Sequence, residues 1–451
     1  MGFPVLRSFS VKNFGCRATQ ADGAGIAADL AARGLQPVQE HRRADVVVVN
    51  TCTVTSAADR DARKSVNRIH RENPDAEILV TGCYAQRAPQ ELAALGGVRW
   101  VVGNSHKHAI GGLLAPQLVQ IQGAETVSLS YHGGIEAGGS LVGDISRQTA
   151  LHPLPTGEPL GRSRPNVKVQ DGCDNRCSFC IIPSVRGRSR SAAASSVIRE
   201  VRRLEDDYAE LVLTGINLGR WGRDLNGRPR LPDLVQALLD RTSVRMMRLS
   251  SVEPMDWSAR LVGLMASSSR IARHVHMPLQ SASDSVLRRM RRRYRIRHYE
   301  SRIRLAREAM PLAGIGADVM VGFPGESDEE FEQTRAFVER MPFTYLHVFS
   351  YSSRDGTDAA GHADHVTKAV KRRRSRILRE LIEWKNESFR QGLAGTTLPA
   401  TVLEGRRGRS RALTDNFIDV EVSGAPMSPG SLVRVRIDGI EGRRTFASRV
   451  D

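Results

Sequence analysis

The sequence predicts a mixed α/β protein in three parts: an amino-terminal Rossmann-like α/β domain, a central partial (β/α)6 barrel of the TIM type, and a small carboxy-terminal β-barrel. Apolar runs alternate with helical patterns up to residue 105, and a longer alternation of the same kind begins at residue 166. Beyond residue 396 the pattern changes to short alternating strands. We place the boundaries at 1–115, a linker at 116–158, the barrel at 159–391 and the last domain at 392–451.

Three apolar runs, each followed by a cysteine, predict the first domain. The runs and their cysteines are Phe9–Phe14 with Cys16, Val46–Val49 with Cys52, and Ile78–Val80 with Cys83. Helical patterns over Gln20–Arg33 and Ala57–His70 separate these runs. In a parallel sheet the three thiols would meet at the carboxyl edge, where α/β proteins place their sites. Scattered cysteines are also common as inert core residues, so a metal site and a structural role both stay open.

Six further apolar runs, separated by helical patterns, predict the barrel. The predicted strands are Val167–Gln170, Leu211–Thr214, Met247–Ser251, Val275–Pro278, Ala317–Val321 and Tyr345–Phe349. The helical patterns include Ser196–Glu205, Pro232–Arg241, Trp257–Ala266 and Tyr299–Ala309. Six β-α units favour an open, partial barrel over a closed eightfold one, and the loops after the strands form its functional mouth.

The last domain follows a strongly helical segment, Lys371–Leu393. Its predicted strands are Leu398–Leu403, Phe417–Val422, Ser431–Ile437 and Thr445–Arg449. Short alternating strands of this kind are typical of small β-barrels of the oligonucleotide-binding sort. A structural cap on the larger barrel is the alternative.

Cys173, Cys177 and Cys180 follow the first barrel strand with the spacing C-x3-C-x2-C. Three thiolates satisfy three irons of a [4Fe–4S] cluster and leave the fourth iron open, whereas electron-transfer clusters take four cysteines. Zinc sites usually show paired C-x2-C units or histidines, and no histidine lies within ten residues of this triplet. Three buried structural cysteines are the remaining alternative.

Charge and hydropathy restrict the partners of the chain. The formal net charge of +17 predicts a polyanionic partner, and nucleic acid is the obvious class. No run of eighteen apolar residues is present, so we expect no membrane association. The first seven residues lack a signal-peptide pattern, and thiols suited to iron indicate a reducing compartment. We therefore expect a cytoplasmic protein, and a monomer.

Seven of the ten residues from 288 to 297 are arginines. Such a run is often only a solvated face, but in a chain this basic we predict contacts with RNA phosphates. The predicted RNA-binding residues are Arg288, Arg289, Arg291, Arg292 and Arg293.

These motifs resemble those of the radical S-adenosylmethionine (radical SAM) methylthiotransferase family over nearly the whole chain. The matching stretches are Cys173–Cys180 with the following Ile-Ile-Pro-Ser-Val-Arg-Gly-Arg, Gly15–Arg17, Val49–Thr55, Thr81–Cys83, His276–Ser281 and Val321–Glu326. The final β unit resembles the TRAM domain, an RNA-binding module. Thr53–Thr55 and Leu213–Gly219 are most similar to the tRNA threonylcarbamoyladenosine subgroup. Ser352–Thr357 departs from the family because it lacks the usual proline before Gly-Thr.

The resemblance implies two [4Fe–4S] clusters, one on Cys16, Cys52 and Cys83 and one on Cys173, Cys177 and Cys180. It also implies that S-adenosylmethionine binds the open iron of the second of these, and that one electron cleaves it to a 5′-deoxyadenosyl radical. A flavodoxin or ferredoxin type of protein would donate that electron, and the source of sulfur stays unknown. The open iron of the other cluster would hold sulfur for the substrate radical.

The implied reaction is methylthiolation at C2 of N6-threonylcarbamoyladenosine 37, next to the anticodon of tRNA. Two alternative reactions are methylthiolation of N6-isopentenyladenosine in tRNA and methylthiolation of a ribosomal-protein aspartate. A zinc-containing RNA-binding protein without catalysis is an alternative of another class.

Ser251, Glu253 and Gln280 are candidate cofactor-binding residues because they lie at or beyond the ends of the third and fourth barrel strands. Ser251 and Glu253 could hydrogen-bond the ribose of the cofactor, or they could form a helix cap or a turn. Gln280 leaves the same two possibilities open. Asp171 and Gly172 are expected to shape the cysteine loop rather than to act in catalysis.

Overall fold

The computed structural model describes residues 6–115, 118–119, 127–128, 139–151, 163–406 and 408–450. Most of the predicted linker, 116–158, lies outside these residues. The chain forms two compact units. The first unit comprises Met1–Leu160, Asp171–Asn175 and Cys180–Arg190, and the second comprises Gly161–Gln170, Arg176–Phe179 and Ser191–Asp451. The domain boundaries given above stay a prediction.

A six-stranded parallel sheet organises the first unit. In spatial order its strands are Gln36–Pro37, Ser8–Asn13, Val46–Thr51, Glu77–Gly82, Val98–Gly103 and Gly139–Leu141. Its α-helices are Arg17–Ala32, Ser56–Glu72, Cys83–Arg87, Pro89–Ala93 and Ile110–Leu114. Val46 and Val48 pack into the core on one face, and Val47 and Val49 pack on the other. Burial on both faces explains why this central strand is an unbroken apolar run.

Six parallel strands form the open barrel of the second unit, as the sequence predicted. They are Asn166–Asp171, Glu210–Gly215, Met246–Leu249, His274–His276, Gly314–Val321 and Tyr345–Ser350. The first three pair in one sheet, in which the short strand Arg190–Ser191 lies beside Asn166–Asp171, and the last three pair in another. An isolated bridge pairs Met247 of the first sheet with Ile271, which precedes the strand His274–His276. Its α-helices are Ala194–Leu204, Leu231–Arg241, Ala259–Ser267, Asp284–Arg289, Ile296–Ala309, Asp328–Arg340 and Lys368–Gln391, whereas the short helix Ile182–Arg186 after the cysteine loop belongs to the first unit.

Alternate residues of the barrel strands face opposite sides. Ile315, Ala317 and Val319 belong to the core formed with the surrounding helices. Gly316 and Asp318, between them in sequence, therefore face the barrel interior. This alternation decides which polar side chains reach the site.

The carboxy-terminal domain is a closed five-stranded barrel, which confirms the predicted class. Its strands are Thr397–Arg406, Arg409–Thr414, Asp419–Ser423, Leu432–Glu441 and Arg444–Val450. The strand Arg409–Thr414 was not predicted from the sequence. Neighbouring strands are antiparallel except for Asp419–Ser423 and Arg444–Val450, which are parallel.

A buried ion pair joins this small barrel to the larger one within the second unit. Arg248 donates from Nε to Glu210 Oε1 at 2.6 Å and from Nη1 to the carbonyl of Asp415 at 2.9 Å. Thr401 donates its hydroxyl to the other oxygen of Glu210 at 2.6 Å. Burial alone would raise the pKa of Glu210, but the charges of Arg248 and Arg164 and these hydrogen bonds lower it to about 2. Glu210 is therefore ionised at neutral pH.

In the parts of the chain that the structure describes, no helix is both long enough and apolar enough to cross a lipid bilayer.

Candidate active site

Cys16, Cys52 and Cys83 lie at the same edge of the first unit's sheet, as predicted. Cys52 follows the strand Val46–Thr51 and Cys83 begins the short helix directly after Glu77–Gly82. Cys52 and Cys83 are buried and Cys16 is exposed. Parallel strands end at a common edge, so the fold brings together thiols that are more than thirty residues apart in sequence.

Gly15 allows the chain to pass close to Cys52. Its φ is +99°, in the left-handed region, and a Cβ atom there would lie 2.7 Å from Cys52 Cβ and 3.0 Å from its sulfur. Any side chain would therefore push the two cysteine-bearing loops apart.

The three thiols influence one another electrostatically. Burial raises the pKa of the Cys52 thiol to about 12, and the nearby Cys83 and Cys16 thiols add to the rise. A thiol with so high a pKa is protonated at neutral pH, and binding of a metal would displace its proton.

The spacing of these sulfurs does not fit a single zinc ion. Two thiolates on a tetrahedral zinc lie about 3.8 Å apart, because each Zn–S bond is about 2.3 Å long. Among the described residues, the group of three possible ligands whose atoms all lie within 4.8 Å of one another is His276, Asp318 and His347, with no cysteine. A [4Fe–4S] cluster binds each thiolate at a different iron and so accommodates wider spacing.

Arg186 makes the most extensive contact with this cysteine group. Its Nε donates to Cys83 Sγ at 3.2 Å, Nη1 donates to Asp171 at 2.9 and 3.1 Å, and Nη2 donates to Asp22 at 3.1 Å. Burial lowers the pKa of Arg186, but Asp171, Cys83 and Asp22 raise it well above its ordinary value. Arg186 is thus a fixed, buried cation. Sequence reasoning did not single it out, although it lies six residues after Cys180.

The cysteine loop after the first barrel strand is shaped by its glycine and by backbone hydrogen bonds. Gly172 has a φ of +73°, and a Cβ there would collide with the carbonyl of Arg188. The amide of Cys173 donates to the carbonyl of Gly187 at 3.0 Å, and the amide of Asn175 donates to Cys173 Sγ at 3.4 Å. A backbone donor aimed at a sulfur favours the thiolate, the form that binds iron.

Arg292 departs from the prediction that it contacts RNA. It is only 8% exposed, it is ion-paired with Glu253, and its Nη1 donates to Cys177 Sγ at 3.3 Å. Burial lowers the pKa of Arg292, but Tyr294, Glu253 and Cys177 raise it well above its ordinary value. A guanidinium held this way cannot reach a phosphate outside the barrel. The two sets of cysteines thus share a feature, a buried arginine that donates to one sulfur.

Of the three candidate cofactor residues, Glu253 is committed to Arg292, and Ser251 is half-buried just beyond the strand Met246–Leu249. Gln280 has the most unusual backbone conformation and side-chain environment of the three. It is 8% exposed and has a φ of +63°, a conformation that costs a residue with a side chain free energy on the order of 1 kcal/mol. Its backbone bonds to Asp318 and Met320, while its buried Oε1 has no hydrogen-bond partner among the described residues. A strained residue with an unsatisfied buried oxygen fits a ligand-binding position.

The remaining predicted RNA-binding arginines differ in their surroundings. Arg289 is half-buried and pairs with Glu330 at 2.7 Å, and Arg291 is ion-paired with Asp358. Arg288 and Arg293 are exposed. Arg288 and Arg293 are therefore the members of the predicted set best placed to meet a phosphate.

His276, Asp318 and His347 form a polar layer in the barrel interior that sequence reasoning missed. His347 lies opposite Asp318 on the neighbouring strand, and His276 Nε2 is 3.4 Å from Asp318 Oδ1. Burial raises the pKa of Asp318, but the hydrogen bond and charge of His276, with the charges of His347 and Arg292, lower it overall. Asp318 is therefore an anion among hydrogen-bond donors. Period-two alternation in each strand was the available signal, but it does not reveal which strands are neighbours.

Two family models match the chain. Residues 8–103 match Uncharacterized protein family UPF0004, and residues 167–338 match the Radical SAM superfamily. These spans cover five of the six strands of the first unit's sheet and most of the open barrel. Enzymes of the radical SAM class use an iron–sulfur cluster and S-adenosylmethionine, so this chain binds both.

The curated relatives cover almost the full length. A threonylcarbamoyladenosine tRNA methylthiotransferase MtaB from Aquifex aeolicus is 36% identical over 94% of this chain and 99% of its own length. Its namesake from Bacillus subtilis is 33% identical over 96% and 94%. A tRNA-2-methylthio-N(6)-dimethylallyladenosine synthase from Citrifermentans bemidjiense is 30% identical over 97% and 96%.

Among solved structures, a radical S-adenosylmethionine methyltransferase, TsrM from Kitasatospora setae, has the same fold. It matches with a TM-score of 0.55 at 15% identity, covering 79% of this chain and 74% of TsrM. The predicted enzyme class is confirmed, and a zinc protein without catalysis is not supported. The length and identity of the curated matches place the chain in the radical SAM methylthiotransferase family, enzymes that transfer a sulfur-containing group.

Proposed function

We propose that the protein methylthiolates C2 of N6-threonylcarbamoyladenosine at position 37 of tRNA, converting t6A to ms2t6A. The observation that carries this proposal is the full-length similarity to relatives named for that nucleoside, at 32–36% identity. A second support is the arrangement of two cysteine groups, each with three thiols and a buried arginine donor.

Cys173, Cys177 and Cys180 would hold a [4Fe–4S] cluster whose open iron takes S-adenosylmethionine, and Cys16, Cys52 and Cys83 would hold another. The cluster on Cys173, Cys177 and Cys180, together with S-adenosylmethionine, would supply a 5′-deoxyadenosyl radical able to remove hydrogen from a carbon that no acid–base pair could deprotonate. The chain's own residues orient this chemistry. Arg292 donates to Cys177 and Arg186 donates to Cys83, and the unpartnered amide oxygen of Gln280 would accept a hydrogen bond from the cofactor.

The polar layer of His276, Asp318 and His347 supports threonylcarbamoyladenosine over the dimethylallyl substrate named for other relatives. The threonylcarbamoyl group carries a carboxylate, a hydroxyl and urea N–H groups, whereas the dimethylallyl group is a hydrocarbon. Burying hydrocarbon against an anionic carboxylate and imidazoles would remove their water without replacing its hydrogen bonds. The polar groups of the threonylcarbamoyl substituent would replace the hydrogen bonds that the displaced water had made.

The function is tested by mass spectrometry of tRNA nucleosides from cells with and without the gene, and after turnover of the reconstituted enzyme with S-adenosylmethionine. We expect ms2t6A to disappear in the deletion strain and to form in the reaction. If the deletion strain lost the methylthio derivative of isopentenyladenosine instead, the substrate would be N6-isopentenyladenosine. Unchanged methylthio-adenosines would overturn the tRNA proposal.

The choice between the two nucleosides is tested at His347. His347→Phe makes the polar layer more apolar, and we expect KM for t6A-containing tRNA to rise about tenfold, which corresponds to one lost hydrogen bond. Cleavage of S-adenosylmethionine without tRNA should stay unchanged. His108→Phe, an exposed histidine of the first unit, is the control. Equal KM values for the two variants would contradict a role for the polar layer.

We further propose a flavodoxin or ferredoxin type of electron donor and a cytoplasmic location. The six cysteines support the location, because thiols that bind iron require a reducing compartment. Exposed arginines such as Arg288 and Arg293 support an RNA partner.

A further inference from the structure

Each nitrogen of the Arg186 guanidinium has an acceptor within the first unit. Besides the bonds to Cys83, Asp171 and Asp22 given above, Nη2 donates to Thr19 Oγ1 at 3.2 Å. The planar guanidinium thus makes five hydrogen-bond contacts with four residues. The side chain is 1% exposed, so water does not compete for these bonds.

The balance of charges around Arg186 fixes its position. Both carboxylate oxygens of Asp171 accept from Nη1, and Asp22 also accepts from Lys107 at 2.6 Å. A buried cation is tolerated only when it is paired and its remaining donors are satisfied. Lysine has three donors on a flexible stem and cannot make the same set of bonds.

The Nε–H bond to Cys83 has a direct consequence for a metal bound there. Hydrogen bonds to cluster sulfurs and buried positive charge stabilise the reduced, more negative state of an iron–sulfur cluster, and so they raise its reduction potential. Cys83 also accepts a hydrogen bond from Asn104 Nδ2, a neutral donor, at 3.5 Å. Of the two donors to Cys83, Arg186 therefore makes the shorter contact and is the one that carries a charge.

We propose that Arg186 is a positioning residue that raises the reduction potential of the cluster held by Cys16, Cys52 and Cys83, an inference that rests on the proposed second cluster. The same guanidinium joins Cys83 to Asp171, two residues before Cys173. The redox event is the uptake of one electron by the cluster from an external one-electron reductant. Arg186 stays protonated throughout, so no proton accompanies the electron.

The test isolates this cluster in the full-length chain. Cys173, Cys177 and Cys180 are changed to alanine, and the reconstituted protein is titrated with dithionite while the reduced cluster is followed by electron paramagnetic resonance. The chain with Arg186 intact should bind about four irons. Arg186→Gln should retain them with a lower potential. We expect the ratio of reduced to oxidised cluster at a fixed potential to fall roughly tenfold, which is about 59 mV for one electron.

Arg186→Lys keeps the positive charge but cannot make the same set of hydrogen bonds, so its cluster should have an intermediate reduction potential. If Arg186→Gln fails to fold, Arg186→Lys tests whether Arg186 raises the potential. Arg87→Gln is the matched control, because Arg87 lies on the same short helix as Cys83 and bonds to Asp59 and Thr53 instead of a cysteine. Its potential should equal that of the unaltered background.

Equal potentials in all variants that bind iron would overturn the role of Arg186 while leaving the second cluster intact. If the background with Arg186 intact bound no iron, the proposed second cluster and the role of Arg186 would both be overturned.

Discussion

Gly15 and Gly34 have almost the same φ but different surroundings, and the pair isolates the effect of one steric contact. Their φ angles are +99° and +92°, and a Cβ at Gly34 would meet nothing within 4 Å. Gly15→Ala adds a clash with Cys52 to the backbone strain. We expect Gly15→Ala to lose about four irons per chain and Gly34→Ala to lose none. Iron and sulfide analysis after reconstitution measures this, and equal losses would show that backbone strain alone is responsible.

Arg292 is buried and donates to Cys177, and its substitution separates a role beside the cysteines from a role in RNA binding. Arg292→Gln leaves Glu253 without its cation and Cys177 without its charged donor. We therefore expect the rate of S-adenosylmethionine cleavage to fall at least tenfold, while the affinity for tRNA changes less than twofold, since a buried side chain meets no phosphate. Release of 5′-deoxyadenosine and a filter-binding assay provide the two measurements. A loss of tRNA affinity with normal cleavage would restore the RNA interpretation.

At the scale of elements, the contact between the two barrels of the second unit depends on the pair of Glu210 and Arg248. Glu210→Gln leaves Arg248 buried without its anion. Breaking a buried pair in this way costs on the order of 3–5 kcal/mol. We expect a lower urea midpoint for Glu210→Gln than for the unaltered protein. Asp233→Asn, which disturbs the exposed pair of Asp233 and Arg260, should have an effect below about 1 kcal/mol. Equal midpoints would show that the buried pair does not stabilise this contact.

The same pair predicts an acid-dependent loss of stability. The folded-state pKa of Glu210 is about 2, below the ordinary value of 4.5. A carboxyl group whose pKa is lower in the folded state stabilises the fold fully at a pH above its unfolded-state pKa. This stabilisation is lost as the pH falls toward the folded-state pKa. The difference in unfolding free energy between the unaltered protein and Glu210→Gln should therefore shrink from pH 5 to pH 2. Urea unfolding across this range measures it, and a constant difference would contradict the ionised carboxylate.

At the scale of the whole molecule, the positive charge predicts salt-dependent binding to tRNA. Each phosphate contact adds roughly 0.7–0.9 to the slope of log affinity against log salt concentration. The double variant Arg288→Gln/Arg293→Gln removes two exposed arginines and should reduce this slope by about 1.4–1.8. Arg304→Gln, which removes an exposed arginine paired with Glu300 on the same helix, is the control for net charge. If each arginine removed changed the slope by the same amount in both variants, Arg288 and Arg293 would have no special role in binding tRNA.

The sequence predicted most of the fold because its signals are local. Apolar runs and helical patterns located the six barrel strands to within a few residues, and they located three of the four inner strands of the first sheet. The fourth inner strand, Val98–Gly103, was missed although it is largely apolar, and the edge strands Gln36–Pro37 and Gly139–Leu141 were missed because two or three residues carry no periodic pattern. Asp328–Arg340 was not among the named helices, although Ser327 and Glu330 form a capping box at its start.

By itself the sequence determined the six cysteines, the order of the three parts and the family, because ligand type, spacing and periodicity are properties of contiguous residues. Only the tertiary structure decided which side chains meet across long separations. It turned Arg292 inward from a run of arginines, brought Arg186 to Cys83, and placed His347 beside Asp318. Burial and strand neighbourhood depend on the packing of distant segments, and a pattern along one segment contains no information about them.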